Sequence, residues 1–209
     1  MARAARFVVL ACALGLTALT GLVVSHVPVP GDAELVQLAL SMRGDALTVA
    51  IWVLTFISSS IPALLITLAL SGIELWRARR LRLDAMWPTV AYLGCVASNI
   101  GLRIAVGRFR PGVEYIPHRL PEVQAGFQRF SYPSGHAGAA LFAYFALVVL
   151  AWPRRVCRWV ALALALLVII GTGFGRVYLG VHWPTDVLGG YLLAGCWLGI
   201  GLAFRRWRL

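Results

Sequence analysis

Charge is scarce in this 209-residue chain, and lysine is absent from it altogether. Charged residues make up 13% of the sequence, against roughly 25% in a soluble domain, whereas 60% is hydrophobic and the mean hydropathy is +0.82. These proportions exclude an ordinary soluble domain, a disordered chain and a coiled coil. Cys12, Cys95, Cys157 and Cys196 lie in or beside apolar runs without metal-ligand spacing, so we interpret them as small buried side chains.

The charge that is present belongs mainly to arginine: all 19 basic residues are Arg, and with 8 acidic residues they give a net charge of +11. Twelve of the arginines flank long apolar runs, as basic residues do in the cytoplasmic loops of membrane proteins. We therefore expect no binding to nucleic acid. The twelve are Arg3, Arg6, Arg77, Arg79, Arg80, Arg82, Arg154, Arg155, Arg158, Arg205, Arg206 and Arg208.

Six apolar segments are long enough to cross a bilayer, which takes about 20 residues. They cover residues 7–27, 47–73, 87–104, 133–152, 159–175 and 186–204. We predict an all-α membrane protein with six transmembrane helices in a single domain, 1–209, with a kink at Pro62. The first segment has the alternative of a signal peptide, but it is long for one and no A-x-A site follows, so we interpret it as a span.

An even number of spans places both termini on one side of the membrane, and the arginine bias indicates the cytoplasm. Residues 28–46, 105–132 and 176–185 then face outward. Seven arginines fall on this outer side, against the usual trend, and most of the histidines and Asp186 accompany them. These arginines are Arg43, Arg103, Arg108, Arg110, Arg119, Arg129 and Arg176. We expect a multi-pass protein of the plasma (inner) membrane whose polar chemistry faces the periplasm or outside.

The first outer segment carries a helical pattern of apolar residues. Leu35, Leu38, Ala39 and Met42 follow an i, i+3, i+4, i+7 spacing, and Asp32 precedes them as an N-cap candidate. The pattern predicts a short amphipathic helix on the outer interface, with a structural role.

Two pairs of polar residues have helical spacing. Arg103 and Arg110 are seven residues apart, which would place them on one helical face, two turns apart, before a proline ends the helix. His182 and Asp186 are spaced i, i+4, and Pro184 suits the first turn of a helix beginning there. An Asp beside a His fixes its tautomer and stabilises its charged form.

The fourth span opens with the sequence Tyr-Pro-Ser-Gly-His at residues 132–136. A helix N-terminus presents free N–H groups that bind phosphate. Ser134 can add a hydroxyl donor, and Gly135 lets an anion approach the backbone. Each motif alone has an ordinary explanation, such as a turn, a lipid head-group contact or a structural hydrogen bond. All of them together, at three helix ends on one side, indicate a functional site.

The three motifs, in this order, resemble those of the type 2 phosphatidic acid phosphatase superfamily of integral membrane lipid phosphatases, which also includes vanadium haloperoxidases. The family pattern is Lys-x6-Arg-Pro, then Pro-Ser-Gly-His, then Ser-Arg-x5-His-x3-Asp. This chain has Arg103-x6-Arg110-Pro111, Pro133-Ser134-Gly135-His136 and Gly175-Arg176-x5-His182-x3-Asp186. Arg103 keeps the charge of the family's Lys with a different donor geometry. Gly175 lacks the family's hydroxyl, which leaves its backbone N–H as a contact for phosphate.

The resemblance implies a catalytic or phosphate-binding role for each of these side chains. His182 attacks phosphorus and forms a phosphohistidine, Asp186 holds and polarises it, and His136 protonates the leaving oxygen and then activates water. The implied phosphate-binding residues are Arg103, Arg110, Ser134, Gly135 and Arg176. We expect no cofactor, because three arginines can supply the charge that metal ions supply elsewhere and the sequence shows no carboxylate cluster to hold magnesium.

The resemblance also implies the class of substrate, a membrane lipid phosphate, with undecaprenyl pyrophosphate or a related isoprenoid phosphate as the expected one. Phosphatidylglycerol phosphate, phosphatidic acid and lipid A are alternatives, and transfer of the phosphoryl group to another lipid is an alternative to hydrolysis. A non-catalytic lipid-binding protein or transporter would not need His136, His182 and Asp186 together. Six spans argue against a haloperoxidase-like enzyme or a phosphatase for soluble substrates.

Overall fold

The computed structural model describes residues 2–25, 29–79, 83–111, 129–151 and 155–206. Helices dominate this part of the chain, together with a short 3₁₀ turn at Leu83–Met86 and one isolated antiparallel bridge between Phe109 and Phe130. The helices are α1 (Ala2–Val24), α2 (Asp32–Ser41), α3 (Asp45–Ile57), α4 (Ser60–Ala78), α5 (Trp87–Val106), α6 (Gly135–Ala151), α7 (Arg155–Tyr178) and α8 (Pro184–Arg206). The all-α prediction is confirmed.

Among the residues that the structure describes, five helical segments are long and apolar enough to cross a membrane: Arg3–Val24, Ser60–Ala78, Asp84–Val106, Arg158–Tyr178 and Pro184–Phe204. They correspond to five of the six predicted spans. The remaining one, α6, has a shorter apolar stretch. It lies at the centre of the bundle, in contact with α4, α5, α7 and α8. Ala137, Ala140, Phe142 and Ala143 of α6 are completely buried, which explains why this helix is apolar on every side.

The second predicted span is divided into α3 and α4 instead of being kinked at Pro62. Proline has no N–H group, and its ring collides with the carbonyl four residues earlier, which belongs to Ser58. The chain leaves the helix at that residue: α3 ends at Ile57, and Pro62 lies in the first turn of α4. The Ser58 hydroxyl bonds instead to that of Thr172 in α7, at 2.7 Å, and both side chains are buried.

The bundle has two distinct ends. At one, Arg77 of α4 donates a hydrogen bond to the carbonyl of Leu150 in α6, at 3.1 Å. At the other, the backbone N–H of Gly44 lies 3.1 Å from the hydroxyl of Tyr178, the last residue of α7. The second end also holds the start of α6 and of α8. The motif residues lie at this second end, which we call the site end.

The predicted amphipathic helix is α2, at the site end. Leu35 and Leu38 of the apolar stripe are exposed, as is Met42 directly after the helix, whereas Ala39 is buried. Asp32 is not the N-cap, since Gly31 precedes the helix with φ of +90°. Asp32 is the first helical residue, and its buried carboxylate is used elsewhere, as described below.

Candidate active site

The start of α6 is held against α8 by small residues. A Cβ atom on Gly190 of α8 would collide with the carbonyl oxygen of Ser134. This close approach lets the Ser134 N–H donate to the carbonyl of Asp186, at 2.9 Å. The Ser134 hydroxyl oxygen accepts a long 3.5 Å bond from the N–H of Ala137, which is the N-cap arrangement and leaves its O–H free to donate to a ligand.

The start of α8 brings His182 and Asp186 together. Pro184 is the first residue of the helix, as predicted, and Asp186 reaches back to accept a 2.9 Å bond from the N–H of Trp183. Nδ1 of His182 lies 3.4 Å from the same carboxylate oxygen. That contact falls short of a formed hydrogen bond, so Nδ1 is a buried polar atom without a partner among the described residues. Catalytic hydrogen bonds are often long before a ligand tightens the site.

Arg110 reaches the same histidine from a segment that follows α5, not from α5 itself. Helix α5 ends at Val106, and Gly107, with φ of +64°, turns the chain back. The following residues are extended, and the Arg110 N–H pairs with the carbonyl of Arg129. The prediction that one helix carries both Arg103 and Arg110 is therefore wrong, because glycine at the left-handed position terminates it.

Nη1 of Arg110 nevertheless lies 3.4 Å from Nε2 of His182 and donates to the carbonyl of Val181, at 2.6 Å. Burial and the charges of Arg110, Arg176 and Arg103 hold the pKa of His182 well below its usual 6.5. The imidazole is therefore neutral at physiological pH. Burial also lowers the pKa of Arg110, to about 10, which leaves this guanidinium charged.

The other two predicted phosphate-binding arginines complete the cluster. Nη2 of Arg103 donates to the side-chain oxygen of Asn99 and to the carbonyl of Pro133, at 3.3 and 3.2 Å. Arg176 is 9% exposed, and its Nε has no hydrogen-bond partner among the described residues. Native proteins rarely leave a buried charged donor unsatisfied. Arg176 therefore has spare donor capacity for an anion.

His136 lies at the start of α6, directly after Gly135. It borders a cavity of about 200 Å³ that Arg103, Asn99 and Gly135 also line. The cavity continues between α4, α5, α6 and α8 to less polar residues, Tyr92, Cys95, Val96 and Leu193. All eight predicted site residues are thus gathered at one end of the bundle.

Gly175 does not contribute to this cluster in the way that was expected. It lies inside α7, where helical pairing occupies the backbone N–H, and its free side faces α3. A Cβ atom there would lie 2.9 Å from Cγ2 of Ile51 and 3.7 Å from Oγ1 of Thr55. Glycine is needed here for the close approach of two helices, so the expectation that its backbone contacts phosphate is wrong.

Sequence reasoning missed the partners of Asp186 that come from distant segments. Arg108 lies 2.9 Å from Asp186, and its other terminal nitrogen lies 2.7 Å from Asp32. The signal for Arg108 was its position two residues before Arg110, since alternate residues of an extended segment point to the same side. Arg43, another outer arginine, donates to the carbonyl of Tyr178 and ties the start of α3 to α7.

Some of the polar residues noted in the sequence lie elsewhere. Arg129 is exposed and stacks on Phe109 and Phe130, with its guanidinium 5.8 and 5.0 Å from the ring centres. His118 and Arg119 lie outside the described residues. Within the described part of the chain, no group of three or more His, Cys, Asp or Glu side chains could hold a metal ion.

Known proteins share parts of this sequence. YbjG of Escherichia coli (strain K12), provisionally named an undecaprenyl-diphosphatase, is 49% identical over 65 residues, 31% of this chain and 29% of the relative. The undecaprenyl-diphosphatase of Sulfolobus acidocaldarius is 39% identical over 69 residues, 33% and 30% of the two chains. The lipid A 1-phosphatase of Rhizobium etli is 31% identical over 112 residues, 53% and 44%. The matches span less than half the length of each relative.

The fold also matches a solved structure, that of a transmembrane PAP2 type phosphatidylglycerolphosphate phosphatase from Bacillus subtilis. The TM-score is 0.76 and the match covers 94% of both chains, at 22% sequence identity. The family model described as the PAP2 superfamily matches residues 84–209, a range that contains all three motifs and more than half of the chain. The chain therefore belongs to the PAP2 superfamily.

Proposed function

We propose that this protein is a membrane lipid phosphatase that releases phosphate from a lipid phosphate or pyrophosphate through a phosphohistidine on His182. One observation carries the proposal: a neutral, buried histidine lies within 3.4 Å of both a carboxylate and a guanidinium, at the centre of an arginine cluster. A nucleophilic imidazole beside excess positive charge is the arrangement that attack on an anionic phosphorus requires.

The charge of the cluster matches a phosphate dianion. Arg103, Arg108, Arg110 and Arg176 bring four positive charges, and Asp32 and Asp186 bring two negative ones, so the described cluster has a net charge of +2. Phosphoryl transfer depends mainly on positioning and on neutralising the equatorial oxygens. We propose that Arg103, Arg110, Arg176, Ser134 and the backbone of Gly135 bind those oxygens, and we expect turnover without a metal ion.

The first step forms the phosphohistidine. Because Nδ1 of His182 faces the Asp186 carboxylate, it carries the proton, and Nε2 keeps the lone pair that attacks phosphorus. The bond from phosphorus to the leaving oxygen breaks as the P–N bond forms. The negative charge of the bound phosphate favours a proton on His136, and His136 gives that proton to the leaving oxygen. The cavity that His136 borders receives the leaving group, which for a pyrophosphate is the lipid monophosphate.

The second step returns the enzyme to its starting state. His136, now neutral, takes a proton from a water molecule, and the water oxygen attacks phosphorus on the side that the leaving group has vacated. The P–N bond breaks, inorganic phosphate leaves and His182 regains its lone pair. Asp186 stabilises the positive charge that the imidazole carries while it is bonded to phosphorus.

We propose undecaprenyl pyrophosphate as the substrate. The enzyme acts on it at the outer, periplasmic face of the plasma (inner) membrane. Two relatives with undecaprenyl-diphosphatase names support this choice. A relative named as a lipid A 1-phosphatase supports lipid A as an alternative substrate, and the structural neighbour supports phosphatidylglycerol phosphate. The arginine asymmetry of the six predicted spans supports the outward orientation of the site end.

The test is phosphate release by purified protein from four lipids: undecaprenyl pyrophosphate, phosphatidylglycerol phosphate, phosphatidic acid and lipid A. We expect the isoprenoid to have the highest kcat/KM, with activity retained in EDTA. Release from another lipid alone would correct the substrate, and phosphate appearing on an added lipid acceptor instead of in solution would indicate a transferase. Absence of turnover on all four, matched by the His182→Ala variant, would favour a lipid-binding protein.

A further inference from the structure

We propose that Arg108 and Asp32 are positioning residues of the active site, which hold the Asp186 carboxylate in the orientation that directs His182. The inference rests on the proposed function, because it assigns a task within that reaction. Neither residue belongs to the three motifs, and both act through Asp186 without touching the phosphate.

The first link joins Arg108 to Asp186. One terminal nitrogen of Arg108, Nη1, lies 2.9 Å from Oδ1 of Asp186 and 2.6 Å from the hydroxyl of Thr185. Asp186 is completely buried, and an ionised carboxylate in such a place requires a paired cation. Oδ2, the other oxygen, faces Trp183 N–H and His182. Because Arg108 holds one oxygen and the Trp183 N–H holds the other, the carboxylate is kept facing the imidazole.

The second link joins Arg108 to Asp32. Nη2 of Arg108 lies 2.7 Å from Oδ2 of Asp32, which also accepts the hydroxyl of Thr185 at 2.7 Å. Oδ1 of Asp32 accepts the backbone N–H of Thr185, at 3.1 Å. These bonds close a ring between α2, the segment after α5, and α8. Asp32 is 4% exposed and Asp186 is completely buried, so both carboxylates of the ring are shielded from water.

Arg108 differs from the other arginines of the cluster in what its donors contact. Its two terminal nitrogens bind Asp32, Thr185 and Asp186, and its guanidinium stacks 5.4 Å from the ring centre of Trp183. Protein groups therefore engage this side chain on both ends and on one face. The arrangement fits a group that orients a carboxylate, whereas Arg176 keeps a buried donor for phosphate.

The ring also sets the charge next to His182. Asp32, Arg108 and Asp186 together carry one net negative charge. The imidazole becomes positive when its Nε2 bonds to phosphorus, and the charge of the ring then balances it. Removing Arg108 would alter both the position of Asp186 and the preference of His182 for a proton on Nδ1, whereas removing a phosphate ligand would mainly weaken binding.

The experiment compares Arg108→Gln, Arg108→Lys and Asp32→Asn in the purified full-length protein. Initial rates are measured with undecaprenyl pyrophosphate and with a water-soluble phosphate monoester, and nitrogen NMR of His-labelled protein reports the His182 tautomer. Arg129→Gln and Glu34→Gln are matched controls, because both residues are exposed. Glu34 lies on α2 with Asp32, and Arg129 lies on the segment that pairs with that of Arg108. Thermal unfolding in detergent reports whether each variant folds.

We expect Arg108→Gln to lower kcat by ~10–100-fold, the usual effect of removing a group that orients a residue of an active site. KM should stay nearly unchanged for both substrates. Asp32→Asn should also lower kcat, but by a smaller factor. Arg108→Lys should have a kcat between those of Arg108→Gln and the wild type. The nitrogen NMR signals of His182 in Arg108→Gln should show a mixture of tautomers. The double variant of Asp32→Asn with Arg108→Gln should be no slower than Arg108→Gln alone.

Other outcomes would overturn the inference. A raised KM with unchanged kcat would make Arg108 a phosphate ligand, and a KM change limited to the lipid would make Asp32 a part of lipid docking. Wild-type kcat and an unchanged tautomer in the folded variants would remove any positioning role. An inactive wild type would contradict the proposed function, while the tautomer measurement would still test the link from Arg108 to His182.

Discussion

Gly175 and Ile51 bring α7 and α3 into direct contact, one residue before Arg176 of the site. A Cβ atom at position 175 would lie 2.9 Å from Cγ2 of Ile51, a methyl on a stiff β-branched side chain that is only 2% exposed. The position matters because Arg176 follows it on the same helix and belongs to the arginine cluster. A shift of α3 away from α7 would therefore move a proposed phosphate ligand.

We expect Gly175→Ser, which restores the residue type of the family motif, to destabilise this protein by ~1–3 kcal/mol, the usual cost of overpacking. Thermal unfolding in detergent measures the loss. Gly72→Ser is the matched control, because a Cβ atom at that helical position has no neighbour within 4 Å. Adding Ile51→Ala should offset part of the loss in a double-mutant cycle. A Gly175→Ser protein as stable as the wild type would show that α3 has room to move.

Replacing His182 and replacing His136 should reduce phosphatase activity to different extents. We expect His182→Ala to abolish phosphate release, since no covalent intermediate can form, and His136→Ala to slow it by ~10²–10⁴-fold, the weight of general acid–base catalysis. Single-turnover assays with radiolabelled substrate, quenched in alkali, should trap phosphohistidine in the wild type and in His136→Ala. Substantial activity in folded His182→Ala would contradict the assignment of the nucleophile.

The low pKa of His182 has a measurable cause. Burial and neighbouring arginines depress it, so Arg110→Gln should raise the pKa of His182 towards 6.5, as followed by nitrogen NMR titration. The folded state prefers the neutral imidazole, so His182 should lower the free energy of unfolding as pH falls below about 6.5, where the unfolded chain takes up the proton. Arg129→Gln is the control, and a His182 pKa unaffected by Arg110→Gln would contradict this account.

The sequence was sufficient to predict the features that depend on local chemistry. Pro184 and Asp186 start α8, and Ser134 precedes α6, because caps and first-turn residues act within a few positions of the chain. The long apolar runs were recognisable for the same reason. The division of α3 from α4 was also within reach, because Pro62 obstructs the carbonyl of Ser58.

The missing parts of the prediction depend on packing between distant segments. Arg108 and Asp32 are 76 residues apart, and nothing in either stretch indicates that their side chains meet. The role of Gly175 depends on how closely α3 approaches α7, which the motif itself does not encode. Arg110 reaches His182 through a turn at Gly107, whereas its spacing from Arg103 predicted a continuous helix, and only the family resemblance implied that Arg110 and His182 share a site.

Arg103 stands where the family has Lys, and we expect the protein to tolerate the substitution Arg103→Lys. Its Nη2 contacts Asn99 and the carbonyl of Pro133, so the guanidinium is held at the start of α6. We expect Arg103→Lys to keep kcat/KM within about tenfold, since the charge remains. Arg103→Ala should lose ~10–100-fold, the equivalent of a 1.5–3 kcal/mol bond to a charged group. Phosphate release measures both variants, with Arg129→Ala as the control, and equal losses in Lys and Ala would show that geometry outweighs charge.

The orientation of the bundle is open to a direct labelling test. Asp45 begins α3 at the site end, and Arg79 follows α4 at the opposite end, and both side chains are exposed. In a variant lacking all four native cysteines, Asp45→Cys should react with a membrane-impermeant thiol reagent in intact cells whose outer membrane admits it. Arg79→Cys should react only after lysis, because arginine-rich ends stay in the cytoplasm. The reverse pattern would place the site end inside the cell, where it could not meet a lipid pyrophosphate released at the outer face.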